Sequence, residues 1–387
     1  MTPTDFFQIR DLLTPDQLLV ADSVRSFTEK EIKPIMEESA QNAIFPEHLL
    51  AKFGELGLFG TTIPQQYGGG GLDYISYGLM CYEVEKGDSG MRSTISVQSS
   101  LVMWPIFAYG TEAQKRKYLP PLASGEWLGC FGLTEPDHGS NPGGMQSRLV
   151  RVDGGYRLTG SKLWISNAPL AQVAVVWART DEGRVQGVLV EKGMAGFTAP
   201  EIHHKWSLRT SITGELVFDD VFIPDTHVLP AAVGLQAALK CLDKARYGIS
   251  WGAVGAATDC YEVALSYAQE RIQFGKPLAG FQLTQKKLAE MLTEITQAQL
   301  LAWRLGVLMN EEKASTAQIS MAKRNNVAMA LRVAREARQI LGAMGISGSY
   351  PIMRHMMNLE SVITYEGTHD IHLLILGAEI TGIPAFQ

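Results

Sequence analysis

The apolar residues in the first third of the chain repeat with the spacing of an α-helix. Three of them, at intervals of four and three residues, fall on one helix face: Val20, Val24 and Phe27. Thr14 and Gln17 precede them as the two partners of a capping box, with Pro15 in the first helical position. A second helix is predicted to begin at Pro46 and to end before Gly57. These patterns predict a helical domain over residues 1–130.

The pattern changes in residues 131–230, where short runs of β-branched and aromatic residues alternate with turn residues. "SRLVRVDGGYRLTG" contains two such runs on either side of Asp153-Gly154-Gly155, which is a hairpin signal. Further strands are predicted in "AQVAVVWART", "VQGVLVEKG" and "ELVFDDVFIP". This middle section is therefore predicted to be a β-domain.

Long amphipathic helices return after residue 230. In two of them the apolar side chains recur at helical spacing, at Leu288, Met291, Ile295, Ala298 and Leu305, and at Val327, Leu331 and Ala334. Long helices joined by short connections are typical of a four-helix bundle, predicted here over residues 231–387. The predicted fold class is α+β: an N-terminal helical domain, a middle β-domain and a C-terminal four-helix bundle.

Composition and charge narrow the class of protein. The 387 residues are 46% hydrophobic and 19% charged, as in ordinary globular proteins. A net charge of −6 argues against a general nucleic-acid binder, which needs a basic face. The four cysteines form no C-x-x-C pair, so neither a disulfide framework nor a zinc site is predicted, and no metal is expected.

The sequence shows no signal for a membrane or for export. It contains no run of 18 apolar residues, which argues against a membrane span. Its start, "MTPTDFFQIRDLLTPDQ", lacks the basic and apolar regions of a signal peptide and is too acidic for a transit peptide. The expectation is a soluble cytoplasmic protein; a mitochondrial matrix location would require that a transit peptide had been removed.

Two loops of the middle section carry candidate cofactor-binding groups. "CFGLTEPDHGSNPGGM" and "GSKLWISNAP" place Thr134 and Ser166 in backbone expected to have free N–H groups, and the second adds Trp164. Such loops can hold the polar edge of an aromatic cofactor and cover its face. For either loop taken alone, a β-turn with a packed tryptophan would be the favoured interpretation. Motifs of P-loop, zincin and serine-hydrolase sites are absent from the sequence.

A carboxylate in "SVITYEGTHDIHLLILGAEI" has two interpretations. Glu366 lies where the chain must bend before the last helix, so it can be a solvated or capping residue. Alternatively it is a general base in an apolar pocket, with its pKa raised by desolvation.

An arginine in a largely uncharged segment also has two interpretations. Arg92 precedes Ser96 by one helical turn and could bind an anionic tail of a substrate. It could instead form an ion pair with Glu85 or Asp88.

Five stretches together resemble the acyl-CoA dehydrogenase family of flavoproteins: "GLTEPDHGSNP", "KLWISNAP", "DKARYGI", "ERIQFGKPLAGFQLTQKKLAEMLTEI" and "NLESVITYEGTHDIHLLILGAEITG". The resemblance runs through essentially the whole chain. It implies the three-domain fold above, FAD as cofactor and an acyl-CoA substrate. It also implies an electron transfer flavoprotein as oxidant and a homotetramer built as a dimer of dimers.

Within the family, "EVEKGDSGMRSTISVQSSLVM" most closely resembles the glutaryl-CoA dehydrogenases. These enzymes oxidise a five-carbon diacid thioester and decarboxylate it to crotonyl-CoA and CO₂. The alternative is an acyl-CoA dehydrogenase that acts on another acyl-CoA, dicarboxylic or short-chain, without decarboxylation. Other classes on this scaffold are a flavin monooxygenase or oxidase and a non-catalytic acyl-CoA-binding protein.

The resemblance implies roles for individual residues. Glu366 would remove the α-proton of the thioester. Substrate contacts are implied for Glu85, Arg92, Ser93, Ser96, Ser140, Leu242, Asp243, Arg246, Tyr247, Tyr365 and Gly367. FAD contacts are implied for Phe131, Gly132, Leu133, Thr134, Ser140, Trp164, Ile165, Ser166, Arg271, Phe274, Gln282, Gln339, Gly342 and Thr368. Of these, Arg271, Gln282 and the "QILGAMG" segment would reach the FAD of a neighbouring subunit.

Four positions depart from the family pattern: His138, Asn141, Lys244 and Ala343. None of the four takes part in the implied catalytic chemistry, but together they are compatible with a substrate that differs from that of the family members that the chain resembles.

Overall fold

The computed structural model describes residues 4–385, so residues 1–3 and 386–387 of the two predicted helical domains lie outside the described part. The N-terminal helices are α1 (Pro15–Phe27), α2 (Lys33–Asn42), α3 (Leu49–Glu55), α4 (Tyr74–Gly87), α5 (Ser89–Ser96), α6 (Trp104–Tyr109) and α7 (Glu112–Ala123). Two π-helical segments, Thr28–Ile32 and Val97–Met103, continue α1 and α5.

The middle of the chain forms one twisted sheet. Its strands are β1 (Gly129–Gly132), β2 (Arg148–Val152), β3 (Gly155–Ser166), β4 (Val173–Thr180), β5 (Val185–Glu191), β6 (Phe197–Thr198), β7 (Thr213–Pro224) and β8 (Val228–Val233). The strand order is β6-β7-β3-β2-β4-β5-β8, and β1 pairs in parallel with β4. The hairpin predicted at Asp153-Gly154-Gly155 is confirmed, because β2 and β3 pair there in antiparallel fashion.

The last part of the chain is helical again. It contains α8 (Leu235–Glu270), α9 (Gln282–Asn310), α10 (Thr316–Ile340), α11 (Ile352–Val362) and α12 (His369–Thr381). A small hairpin of β9 (Ile272–Gln273) and β10 (Lys276–Pro277) separates α8 from α9. The predicted α+β class, with helices, then a sheet, then a helical bundle, is confirmed.

Helix signals in the sequence are correct at α1 and wrong at α3. Thr14 accepts a hydrogen bond from the Gln17 N–H, and the Gln17 side chain accepts one from the Thr14 N–H, as in a capping box. The helix predicted to begin at Pro46 begins three residues later, at Leu49. The N–H of Leu49 bonds to the carbonyl of Pro46, so the first three residues form a tight turn before the helix starts.

The apolar positions predicted from helical spacing lie in the core. The eight residues of α9 and α10 named above are all buried, as is Val24, while Val20 and Phe27 pack against the core. β4 is buried along most of its length because it lies in the centre of the sheet and is covered by helices on one side.

Asp88 joins the N-terminal helices to the other two parts of the chain. This fully buried carboxylate caps α5 by accepting a hydrogen bond from the Gly90 N–H at 2.7 Å. It also accepts from Thr210 in the β6–β7 connection, and from Arg354 and Asn358 in α11, at 2.5, 2.6 and 3.0 Å. This contact fixes the position of α5, which carries Arg92.

Over residues 4–385, the structure has no helix long and apolar enough to cross a membrane. The same residues contain no cluster of three or more His, Cys, Asp or Glu side chains suited to a metal ion. All four cysteines are free and buried.

Candidate active site

Glu366 lies in the turn between α11 and α12, in a backbone conformation that is rare for a glutamate. Its φ is 53°, and that of Gly367 is 93°, so both residues are left-handed. A non-glycine residue in this region carries strain of order 1–3 kcal/mol, and such strain is concentrated at functional sites. Thr368 is the N-cap of α12, with its hydroxyl accepting from the Ile371 N–H at 3.2 Å. The capping interpretation of Glu366 is therefore wrong.

Two buried cations hold the backbone of this turn. Lys323 of α10 donates to the carbonyls of Tyr365 and Gly367 at 2.9 and 2.8 Å. Arg246 of α8 donates to the carbonyl of Glu366 at 2.8 Å. Three successive carbonyl groups are thus bound from the protein side.

The carboxylate of Glu366 is oriented into a site with no protein hydrogen-bond partner for it. Its Oε2 is out of contact with solvent and has no partner among the described residues. Burial raises the pKa of Glu366, and the charges of Arg92, Arg246 and Lys323 oppose this only in part. A desolvated carboxylate with a raised pKa has the properties of a general base.

Arg92 lies at the centre of a second buried group of polar side chains, next to this turn. Its Nε donates to Glu85 Oε2 at 2.5 Å, and its Nη2 donates to the Tyr365 hydroxyl. The ion pair that was one interpretation of Arg92 is present, and its partner is Glu85. Asp88 is paired with Arg354 instead. Burial alone would lower the pKa of Arg92, but Glu85 and Tyr365 more than offset it, so the guanidinium stays charged.

This second group is only partly satisfied. Three buried atoms have no hydrogen-bond partner among the described residues: Arg92 Nη1, Glu85 Oε1 and Ser96 Oγ. Buried polar atoms are almost always paired, so the free donors of Arg92 and Ser96 indicate room for an anionic or strongly polar group of a ligand, whereas the free Glu85 oxygen is an acceptor. Ser93 is buried on the same short helix. Tyr365 connects this group to Glu366, its neighbour in the chain.

A glycine on α8 makes room for the Glu85 carboxylate. A Cβ atom at Gly252 would lie 1.9 Å from Glu85 Oε2. Only glycine therefore permits α8 and α4 to approach closely enough for Glu85 to reach Arg92.

The α8 residues among the expected substrate contacts divide into two sets. Asp243 accepts hydrogen bonds from Arg246 at 3.2 Å and from Thr316 at 2.6 Å, and Leu242 is half-buried beside it. Tyr247, in contrast, is fully buried in the core and donates to the carbonyl of Tyr74 at 2.6 Å. Its polar atom is already used, which argues against the substrate contact expected of it. Ser140 is exposed in the loop after β1.

The residues expected to bind the flavin ring lie together at one end of the sheet. The Leu163 N–H donates to the Thr134 carbonyl at 2.9 Å, which joins the two loops singled out in the sequence. Trp164 has a φ of 62° and exposes 59% of its surface beside them. The rest of this set lies in β1, directly after it, and in β3: Phe131, Gly132, Leu133, Ile165 and Ser166. A large exposed ring held in an unusual conformation beside two joined loops fits the flat face of a cofactor ring.

The other expected FAD contacts lie elsewhere on the chain. Arg271, Phe274, Gln282, Gln339 and Gly342 are all exposed, around the β9–β10 hairpin and the end of α10. Phe274 has a φ of 51° and exposes 95% of its surface. No hydrogen bond within residues 4–385 joins this set to the loops around Trp164. One chain thus presents two separate parts of the expected site.

Sequence reasoning missed Lys323 and His372. Lys323 is almost completely buried, and His372 is fully buried beside Gly367 with neither ring nitrogen bonded. Burial lowers the pKa of His372 to about 3, so the ring is neutral. Lys323 could have been found, because it stands four residues from both Ile319 and Val327, on the apolar face of α10.

Comparison with known proteins relates this geometry to one family. Family models of the acyl-CoA dehydrogenases match three successive parts of the chain: the N-terminal domain at residues 14–126, the middle domain at 130–221 and the C-terminal domain at 232–381. An acyl-CoA dehydrogenase of Bacillus subtilis is 36% identical over 375 residues, 96% of this chain and 99% of the relative.

Two further relatives differ in their substrates. The crystal structure of a glutaryl-CoA dehydrogenase from Mycobacterium smegmatis in complex with FADH2 has a TM-score of 0.98 and 48% identity, covering 100% of this chain and 99% of that one. A short-chain specific acyl-CoA dehydrogenase of Megasphaera elsdenii is 37% identical over 363 residues, 92% of this chain and 95% of the relative.

Proposed function

This chain belongs to the acyl-CoA dehydrogenase family, and we propose that within it the chain oxidises glutaryl-CoA and decarboxylates the product to crotonyl-CoA and CO₂. It is an FAD-dependent oxidoreductase. The observation that carries the proposed substrate is Arg92, a fully buried cation with an unpartnered Nη1. The likeness to the Mycobacterium smegmatis glutaryl-CoA dehydrogenase supports it.

The arrangement of Glu366 and Arg92 suits a thioester with a carboxylate at its far end. Glu366 takes the α-proton of the thioester, while its backbone N–H stabilises the negative charge that develops on the thioester oxygen. Bound FAD supplies an acceptor for the hydride that leaves the β-carbon. When CO₂ leaves, the electron pair of the broken C–C bond stays on the thioester, which becomes a dienolate. Glu366 then returns its proton to that dienolate, which gives crotonyl-CoA.

Arg92 and Ser96 hold the distal carboxylate in this proposal. A charge-assisted hydrogen bond in a desolvated pocket contributes roughly 1.5–3 kcal/mol. Glu85 keeps Arg92 charged and fixes its orientation, and Tyr365 links the anion site to the base. The Megasphaera elsdenii relative motivates a second candidate, a short-chain monocarboxylic substrate. A monocarboxylic chain would leave the Arg92 donor without a partner in a dry pocket, which favours the diacid.

Two sets of residues would hold FAD. The loops around Trp164 and Thr134 would cover the flavin ring, together with Phe131, Leu133, Ser166 and the N-cap residue Thr368. The exposed set around Arg271, Phe274, Gln282, Gln339 and Gly342 would reach the FAD of another subunit. The proposed oxidant is an electron transfer flavoprotein; rapid oxygen consumption without it would indicate an oxidase instead.

The surface of α12 supports assembly into a dimer of dimers. Helix α12 reads "HDIHLLILGAEIT", and of these thirteen residues, all described, the structure buries only His372. Ile380 exposes 78% of its surface, and Leu373 is also exposed. An exposed helix this rich in apolar residues normally packs against another surface, so a second copy of the chain is the proposed cover.

The test of the proposed substrate is a comparison of two thioesters. Arg92→Met should lower kcat/KM for glutaryl-CoA by at least ten-fold, because the distal carboxylate would then be buried without a partner. An uncharged acyl-CoA of the same length should be little affected or should improve. Arg335→Met, which breaks an exposed ion pair with Glu360, is the matched control and should change neither constant.

The assay should also record CO₂ release and the acyl product. An equal loss for both thioesters would make Arg92 a structural residue and would remove the basis for a diacid substrate. Oxidation of glutaryl-CoA without CO₂ would limit the function to dehydrogenation.

A further inference from the structure

We propose that Lys323 is a positioning residue for Glu366: it fixes the direction of the peptide groups on both sides of the base, and its charge sets the pH range in which the base works. The inference rests on the proposed function, since it concerns the same proton transfer.

The first support is the pattern of hydrogen bonds around the turn. Lys323 Nζ bonds to the carbonyls before and after Glu366, at 2.9 and 2.8 Å, while Arg246 bonds to the carbonyl of Glu366 itself at 2.8 Å. Lys323 comes from α10 and Arg246 from α8. Two helices that pack against each other in the bundle therefore both supply a cation to one strained turn.

The direction of the N–H groups follows from these bonds. A trans peptide is planar, and its C=O and N–H point in opposite directions. Binding the Tyr365 carbonyl therefore turns the Glu366 N–H away from Lys323, and binding the Glu366 carbonyl turns the Gly367 N–H away from Arg246. Neither N–H has an acceptor in the described part of the chain. In the proposed reaction the Glu366 N–H is the donor that meets the thioester oxygen.

The second support is the set of charges that surround Glu366. Arg92 faces it from α5, Arg246 from α8 and Lys323 from α10. Arg92 is neutralised by Glu85, and Arg246 is paired with Asp243. Lys323 has no carboxylate within ion-pair distance among the described residues. The neighbouring His372 ring is neutral, as described above.

Lys323 can act in two separable ways. Burial lowers the pKa of Lys323 to about 7, although the charge of Glu366 opposes this. A neutral amine still has two N–H donors for its two carbonyls, so loss of its proton removes the charge without removing the bonds. The charge favours ionised Glu366, and the bonds hold the turn.

The experiment measures proton abstraction apart from hydride transfer. Acetyl-CoA has an α-carbon and no β-carbon, so the enzyme can exchange its α-protons without oxidising it. Deuterium uptake from D₂O is followed by mass spectrometry between pH 5 and 9 in the FAD-loaded protein. Lys323→Met should lower the exchange rate roughly 10²-fold, as expected when a base is misplaced by about 1 Å.

The acid limb of the pH profile should also move to higher pH in Lys323→Met, because the cation that favours ionised Glu366 is gone. Lys323→Gln keeps N–H donors without the charge, so it should show the same shift with a smaller loss of rate. Lys86→Met removes another buried lysine, which pairs with Glu262 and makes no hydrogen bond to the turn. It should lower stability and leave the acid limb in place.

The results separate the positioning role of Lys323 from the proposed function. Suppose that the wild type exchanges α-protons and that Lys323→Met and Lys323→Gln show the same rate and the same acid limb. This result would overturn the positioning role alone. A wild-type protein that exchanges no α-proton would overturn the proposed function, and this inference with it. A slower rate with the acid limb unmoved in both variants would reduce Lys323 to a structural residue.

Discussion

Glu366 combines three properties that seldom occur together: a left-handed backbone, a desolvated carboxylate without a partner, and a position in a turn whose carbonyl groups are bound by two cations. Each property costs free energy in the folded chain. In the proposed reaction they hold one side-chain oxygen for the α-proton and one backbone N–H for the neighbouring thioester oxygen, an arrangement that suits proton abstraction next to a thioester.

At the scale of the single residue, we expect the Glu366→Gln variant to bind FAD and CoA thioesters as before but to lose most of its turnover. The amide keeps the size and shape of the side chain and cannot accept the α-proton. Loss of general-base catalysis typically lowers the rate roughly 10²–10⁴-fold. The measurement is single-turnover bleaching of the flavin by glutaryl-CoA, and a bleaching rate close to wild type would disprove the assignment of the base.

Single residues were predictable from the sequence only where their surroundings were unusual. Glu366 and Arg92 stand out because each is a charge in an apolar or uncharged stretch. Lys323 and Arg324 look like an ordinary solvated pair until the register of α10 is followed, which places Lys323 on the apolar face and Arg324 partly outside it. Tyr247 lies in a stretch expected to bind substrate, yet its direction on α8 sends it into the core.

At the scale of elements, the position of α5 depends on a single buried carboxylate. Asp88→Asn removes the charge that pairs with Arg354, and Glu37 is the other carboxylate bonded to that arginine. Breaking a buried ion pair by removing one partner typically costs about 3–5 kcal/mol. We expect a loss of about 3 kcal/mol in the free energy of unfolding, measured by urea denaturation, together with weaker binding of glutaryl-CoA.

The matched control is Asp225→Asn, which breaks an exposed pair with Arg151. Exposed pairs contribute about 0–1 kcal/mol, so this variant should unfold almost as the wild type does. Equal stabilities for the two variants would show that Asp88 does not anchor α5.

Helices and strands were predictable because their periodicity reflects one buried face. The order of elements and the core positions of α9 and α10 follow from spacing alone. The start of α3 does not, because a proline permits both a first helical turn and a tight turn before the helix. The contacts of Asp88 could not be predicted from the sequence either, because they join residues more than a hundred positions apart.

At the scale of the whole molecule, the residues proposed to bind FAD form two sets that no hydrogen bond joins within residues 4–385. The resemblance of motifs implied this division, but no local pattern shows it, because the hairpin around Phe274 contacts little else within its own chain. The division and the apolar α12 both call for a second copy of the protein.

We therefore expect the FAD-loaded protein to be at least a dimer, and a dimer of dimers at working concentrations. Leu373→Lys combined with Ile380→Lys should separate the subunits and release FAD, because each places a charge on the apolar surface of α12. Light scattering and flavin absorbance after gel filtration provide the measurement. Leu19→Lys, an exposed apolar residue of α1, is the control and should leave the assembly intact.

A wild-type monomer that carries FAD and is fully active would contradict this assembly.

Because Trp164 is exposed, its fluorescence can be used to measure FAD binding. Of the seven tryptophans, only Trp164 and Trp206 are exposed, at 59% and 82% of their surface. Exposed indoles emit at long wavelength, and a flavin stacked nearby quenches such emission strongly. In a Trp206→Phe background, the long-wavelength emission should come from Trp164 alone and should disappear as FAD is added back to the stripped protein. Its intensity would then give the fraction of sites that are filled, without any substrate.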